Sequence, residues 1–271
     1  MKILMCTDGS SHAAEALRFG ALIAREAKDM VTILGVLESE DEERKVTRML
    51  ERTSTALCED VPHIDSLIRR GHAAEEILKE TEEKKYDLVV VGSRGRRGIT
   101  RFVLGSTAAR LARYCPSPVL IVKGKRRRLS RILVCTAGAK AGEKDTEIAG
   151  RIAALTGASV TVLHVMSQLA LGPECEVSDL ENSTEALLTT DAREAIHLRK
   201  DLQILEDLSV EGEAKVRHGL VVDEILAEAR EGDYDLVAIG AHVASGLQRF
   251  MLTDATEQIV MGSDRPVLVV R

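Results

Sequence analysis

Residues 84–123 read KKYDLVVVGSRGRRGITRFVLGSTAARLARYCPSPVLIVK, and residues 232–271 read GDYDLVAIGAHVASGLQRFMLTDATEQIVMGSDRPVLVVR. The two stretches align without a gap, Tyr86-Asp87-Leu88-Val89 falling on Tyr234-Asp235-Leu236-Val237 at an offset of 148 residues. Upstream, KILMCTDGS (2–10) matches RILVCTAGA (131–139), Cys6 on Cys135, at an offset of 129. One folding unit is therefore written twice. The two offsets place about 19 extra residues of the second copy between Val165 and Gly219. The expected division is a first domain over 1–123, a basic linker GKRRRLS over 124–130 and a second domain over 131–271. Each domain is of ordinary size.

Within each copy, short β-branched runs alternate with helical stretches. In the first copy KILMC, VTILGVL, IDSLIRR, DLVVVG and PVLIVK read as strands. Several are apolar without alternation, as expected of parallel strands covered on both faces. SSHAAEALRFGALIAREA places Ala14, Leu17, Ala21 and Ala24 on one helical face, with Ser10 or Ser11 as its cap. EERKVTRMLERTSTAL, AAEEILKETEEKK and STAARLARY supply further helices. Strands alternating with helices imply right-handed crossovers. The expected class is α/β: two tandem, doubly wound, five-stranded parallel sheets, Rossmann-like, with strand order 3-2-1-4-5.

Composition narrows the function. Apolar residues make up 45% and charged residues 30% of the 271, a folded rather than a disordered balance. Aromatics are 2% and Trp is absent, which removes the stacking platforms that single-stranded nucleic acid uses. Residues 1–123 are near neutral at +1, the linker adds +4, and residues 131–271 carry −11. An acidic second half does not suit a nucleic-acid surface. The opening MKILMCTDGS is too short for a signal peptide, and no stretch reaches a membrane span. Cys6, Cys58, Cys115, Cys135 and Cys175 are scattered and odd in number, as in reduced cytoplasmic proteins. The seven histidines form no H-x-x-x-H pair and are expected to be isolated surface or loop residues.

In an open parallel sheet of order 3-2-1-4-5, ligands bind where the order reverses, between strands 1 and 4. Strand 1 ends in CTDGS, with Asp8 in its loop, and strand 4 ends at Gly92. Gly92, Gly95 and Gly105 follow a G-x2-G-x9-G-S spacing closed by Ser106. It is neither a P-loop, since no Lys follows the last glycine, nor a G-x-G-x-x-G fingerprint. Glycines there let backbone approach an anion, and a helix opening at Gly105–Ser106 directs free N–H groups at it. Arg94, Arg96, Arg97 and Arg101 add cations. The plainer reading of the same glycines is a tight turn followed by a helix start.

The chain resembles a tandem universal stress protein over nearly its whole length. The resemblance rests on ILMCTDGS, TILGVLE, RRGHAAEEIL, the G-x2-G-x9-G-S spacing and SPVLIV. In the ATP-binding branch of that family the motif holds ribose and phosphates. The resemblance thus implies Gly92, Ser93, Gly95, Gly105, Ser106 and Thr107 at the phosphoryl and ribosyl side, to which the loop adds the Arg94 cation. Cys6, Thr7 and Asp8 would border the adenine, with Val36 and Val91 lining the pocket. ATP with Mg²⁺ or Mn²⁺ on its phosphates is the implied cofactor, and one-domain members pair through their last strand. Cys6 departs from the proline often found there. In the second copy Gly240 survives, but Val243, Thr253 and Asp254 stand in place of Gly95, Gly105 and Ser106, and Ala137 in place of Asp8. Asp254 would repel phosphate, so this copy is expected not to bind ATP.

The expected function is a nucleotide-binding regulatory stress-response module. The alternatives are a nucleotide-independent interaction scaffold and a slow ATP hydrolase, the latter without an evident base or Walker-type Lys. The apolar last strands PVLIVK and PVLVVR are expected to pair, making an intrachain pseudo-dimer, with a homodimer as a further option. KGKRRRLSR reads as a short solvated linker. The insertion reads as a loop (near 167–185) followed by an acidic helix with a Leu198, Leu202, Leu205, Leu208 stripe.

Overall fold

A computed structural model describes residues 1–95, 104–136, 140–166, 183–241 and 254–271. The first half runs β1 (Ile3–Thr7), α1 (Ser11–Ala27), β2 (Met30–Leu37), α2 (Glu43–Leu57), β3 (His63–Arg70), α3 (Ala73–Glu83), β4 (Leu88–Gly92), α4 (Ser106–Tyr114) and β5 (Val119–Val122). The second runs β6 (Arg131–Thr136), α5 (Lys140–Thr156), β7 (Ser159–Met166), α6 (Ser183–Leu188), α7 (Arg193–Asp207), β8 (Gly212–His218), α8 (Val221–Glu231), β9 (Leu236–Gly240), α9 (Asp254–Gly262) and β10 (Val267–Val270). The expected helix of the insertion is thus two helices, α6 and α7. Its preceding loop lies outside the described residues.

Both halves have the strand order 3-2-1-4-5, and they join edge to edge into one ten-stranded sheet, β3-β2-β1-β4-β5-β10-β9-β6-β7-β8. Every neighbour is parallel except at the seam, where β5 and β10 run antiparallel with Leu120 opposite Leu268. Alternate strand residues feed two layers. Ile3, Met5, Leu120 and Val122 meet α1, α2, α5 and α7 on one face, whereas Leu4, Cys6, Val119 and Ile121 meet α3, α4, α8 and α9 on the other. β3 and β8, at the outer edges, are the most exposed strands.

Ser10 caps α1 by accepting from the Ala13 N–H at 3.1 Å. The buried face of α1 is Ala13, Ala16, Leu17, Phe19, Gly20, Ile23 and Ala24. Ala14 and Ala21 lie to the side of it, half-buried, where they line a hollow between α1 and α2. Leu198 and Leu205 of the leucine stripe are buried in the same layer, while Leu202 and Leu208 are half-buried.

The repeat extends to buried charge. Glu80 and Glu228 are each 1% exposed. Glu80 takes Tyr86 Oη at 2.8 Å and the Arg69 guanidinium; Glu228 takes Tyr234 Oη at 3.0 Å and Arg217 at 2.8 Å. Burial pushes both carboxyls up, but the hydrogen bonds outweigh it and hold them below the usual range. The aspartates of the repeat fix the start of each half: Asp87 accepts from the Lys2 N–H at 2.7 Å, and Asp235 from the Ser130 N–H at 2.9 Å. The linker is not simply solvated. Arg126 and Arg128 reach Asp233 at 2.8 and 3.0 Å, and Arg127 reaches Glu15 of α1 at 2.6 Å.

Candidate functional site

The loops after β1 and β4 meet at the top of the sheet, on the layer of α3 and α4. A cleft there is lined by Cys6, Thr7, Asp8, Val36, Val91, Gly92, Arg94, Gly95 and Thr107, with Ala13, Ala73, Ile77 and Ala108 completing the wall. Nine sequence-selected residues therefore converge. Ser93, Gly105 and Ser106 do not line it. They form the base of the loop: the Ser93 N–H donates to Val122 O at 3.0 Å, and Ser93 O accepts from the Gly105 N–H at 2.8 Å. Ser106 is the exposed first residue of α4. Arg96, Arg97 and Arg101 fall outside the described residues.

Strand alternation decides how each residue contributes. Cys6, Val36 and Val91 point into the α3–α4 layer and are 5%, 2% and 3% exposed. Thr7 points the other way: its hydroxyl donates to Met49 Sδ of α2 at 2.9 Å and accepts from the Gly9 N–H at 3.0 Å. Its contribution to the cleft is therefore backbone. Asp8 Oδ1 accepts from the Ser10 N–H at 2.9 Å, which fixes the carboxylate, and Oδ2 would lie 3.2 Å from a Cβ at position 95. The glycines divide in purpose. A Cβ on Gly92 would come within 2.9 Å of the His12 backbone, so that glycine serves the packing of β4 under α1 rather than a ligand. A Cβ on Gly105 would meet the Arg94 Cα at 3.1 Å, so this glycine allows the loop to close. Gly92 and Gly95 both line the cleft, and Gly95 is the one whose missing Cβ faces Asp8.

Gly105 precedes α4 and offers no side-chain cap, so the first N–H groups of the helix remain for water or an anion. The thiol of Cys6 is pushed well up by burial, with Cys115 and Glu80 adding to the effect; it is an inert wall group, not a nucleophile. Cys115 is likewise raised by burial. The cleft is narrow, about 50 Å³, against roughly 300–1,000 Å³ for typical small-molecule sites. A purine would have to part its walls. Wider hollows lie between α1 and α2 (about 530 Å³) and at the seam (about 600 Å³). The seam hollow shares Arg94 with the cleft. The convergence of the motif, rather than size, singles the cleft out.

The family model for universal stress proteins matches residues 1–123 and again residues 129–271. The chain belongs to the universal stress protein family. A universal stress protein of Mycolicibacterium smegmatis is 25% identical over 295 residues, spanning 99% of this chain and 96% of that protein. One of Thermus aquaticus is 33% identical over 136 residues, covering 45% of this chain and 97% of its own length. The crystal structure of a universal stress protein from Archaeoglobus fulgidus covers 100% of this chain at 20% identity with a TM-score of 0.66, a likeness of fold. The wall residues Ala73, Ile77 and Ala108 were not singled out in the sequence; the helix openings GHAAEEIL and GSTAA, which place small residues beside the loops, were the available signal.

The same corner of the second half is built differently. His164 stands in β7 at the register position of Gly35 in β2, opposite Thr136 as Gly35 is opposite Thr7. It is buried, 8% exposed, with Nδ1 3.2 Å from Thr136 O, contrary to the expectation of surface histidines. His197 on α7 also has a buried Nδ1. Gly240 ends β9, and the Ala241 N–H that follows donates to Val270 O at 2.8 Å. Val243, Thr253 and Ala137 lie outside the described residues.

Proposed function

We propose that the first half, residues 1–123, is a domain that binds one adenine nucleotide, ATP in the first instance, and that residues 131–271 form a non-binding partner domain joined through the 124–130 linker. The supporting observation is the convergence of Asp8, Arg94, Gly95 and Thr107 on one cleft beside the start of α4. Backbone N–H groups at that helix start and the Arg94 cation suit phosphates, Asp8 suits a ribose hydroxyl or an amine, and Val36 and Val91 suit a base. Among the described residues no cluster of three His, Cys, Asp or Glu could hold a metal by itself. Mg²⁺ or Mn²⁺ would be held through the phosphates, and Asp8 is the carboxylate that lines the cleft.

Nucleotide binding in such a module acts as a signal rather than as turnover. Arg94 links the cleft to the seam, where the Lys123 ammonium donates to carbonyls that end α9: Val260, Met261 (3.1 Å) and Ser263 (3.0 Å). Burial, then the charge of Arg94, lowers Lys123 to about 8. A phosphate that neutralises Arg94 would ease that repulsion, giving the second half a physical route to sense the first. The narrowness of the cleft favours, as the second reading, an interaction module that needs no nucleotide. Isothermal titration with ATP at millimolar Mg²⁺, together with analysis of nucleotide released from the purified chain, separates the two. Heat that disappears in Gly95→Val and Arg94→Ala supports the proposal. Absence of both heat and co-purified nucleotide defeats it.

A further inference from the structure

The layer opposite the cleft carries α2, α1, α5 and α7 side by side, with α1 against α5 at the seam. Between α1 and α2 it opens into a groove of about 530 Å³ rimmed by Arg18, Arg25, Lys45, Arg48 and Arg52, all exposed. Arg18 has Glu15, and Arg25 has Asp60 at 3.0 Å. Among the described residues, no carboxylate pairs with Lys45, Arg48 or Arg52. The corresponding groove of the second half, between α5 and α7, is about 440 Å³ and is rimmed by Glu143, Glu147 and Asp207. Lys144 is turned to the Arg271 carbonyl and Lys200 pairs with Glu143 at 2.7 Å, which leaves Glu147 and Asp207 as the acidic rim. Arg18 and Glu147 occupy the same position of the repeat, 129 residues apart, with opposite charge.

One face thus presents a basic groove on one side of the seam and an acidic groove on the other, at pseudo-equivalent places. A free polyanion would account for only the first. A second copy, turned over about an axis running along the strands, would lay its acidic groove on this basic one and its basic groove on this acidic one. We propose that two copies of the chain associate through this helical face as an isologous dimer, held by two identical charge-complementary contacts. The proposal is independent of nucleotide binding, since the cleft lies on the other layer.

Sedimentation velocity of the full chain tests it at about 0.01 M and about 1 M ionic strength, where charges are felt over roughly 30 Å and 3 Å. The dimer should form at low salt and weaken by about tenfold or more at high salt. Arg48→Glu with Arg52→Glu should be monomeric at low salt, and so should Glu143→Lys with Glu147→Lys. An equal mixture of the two double variants should restore a dimer, because each altered groove then faces its complement and each unaltered groove does too. A wild-type chain monomeric at low salt, a dimer indifferent to salt, or folded double variants that stay monomeric when mixed would each overturn the proposal. Should a double variant fail to fold, the wild-type salt series decides alone.

Discussion

Asp201 on α7 is 1% exposed and accepts a hydrogen bond from the Thr146 hydroxyl of α5 at 2.8 Å. Burial raises its pKa from 3.8 to about 6, the Thr146 hydrogen bond opposing, and the Asp145 and Glu143 charges adding to the rise. The folded carboxyl therefore holds its proton more tightly than the unfolded one. Its contribution to stability is fully present below about pH 4 and is lost as pH rises through 6. At 1.36 kcal/mol per pKa unit, ionisation above pH 7 costs up to about 3 kcal/mol, and roughly 1–3 kcal/mol once solvent screening is allowed for. Asp201→Asn keeps an oxygen for Thr146 and removes the charge. At pH 7.5 it should raise the midpoint of thermal unfolding by about 3–10 °C, given roughly 2–4 °C per kcal/mol for a domain of this size. At pH 4 the variant and the parent should melt together. Calorimetry of both proteins at the two pH values reads this directly. A variant that is destabilised at pH 7.5, or a difference unchanged between the two pH values, would show that burial does not penalise the Asp201 charge.

Three further perturbations follow from the packing. Glu80→Ala and Glu228→Ala each take the acceptor from a buried Tyr hydroxyl, whereas Arg69 keeps Glu83 and Arg217 keeps Glu231, so both should cost about 1–3 kcal/mol in urea unfolding; a loss at only one of them would separate two sites that look alike. Gly92→Ala drives a Cβ against the His12 backbone at 2.9 Å and should destabilise by about 1–3 kcal/mol, seen as a lower denaturation midpoint. Lys123→Met removes the donor from the carbonyls that end α9, so amide exchange around 259–265 should quicken about tenfold while β1 and β2 stay protected. Unchanged exchange there would mean that the Lys123 contacts do not hold the end of α9.

The inner strands were legible because parallel strands buried on both faces are apolar throughout, as in Leu88–Val91; their order came from the analogy with other five-stranded doubly wound sheets, since an apolar run does not name its neighbours. The two layers were legible in outline only. Ala14 and Ala21 looked like core by spacing, but they line the hollow between α1 and α2, and the buried stripe that faces the sheet includes Ala13, Ala16 and Gly20. Buried charge was the least legible. A glutamate in a charged helix reads as surface, and nothing local marks Glu80; its recurrence as Glu228, six residues before the repeated tyrosine, was the usable signal. The cleft was legible in its loops, yet the same spacing did not distinguish Gly95, which borders the cleft beside Asp8, from Gly92, which makes room for the His12 backbone. That distinction needs distances. The linker arginines were misread because their partners, Asp233 and Asp235, lie more than 100 residues away.

The antiparallel seam also sets a timetable for the nascent chain. β5 ends at Val122, whereas its partner β10 begins at Val267, 145 residues later. At roughly 5–20 residues per second, the ribosome needs about 7–30 s to make that stretch. The first half, meanwhile, has every strand it needs to fold. Throughout that interval it carries the apolar edge Val119–Val122 uncovered, next to other nascent chains on the same message carrying the same edge. Co-translational homotypic pairing at β5 is thus the characteristic misassembly of this architecture. The linker arginines that dock onto Asp233 and Asp235, just ahead of β9, hold the second half beside that edge before its last strand arrives.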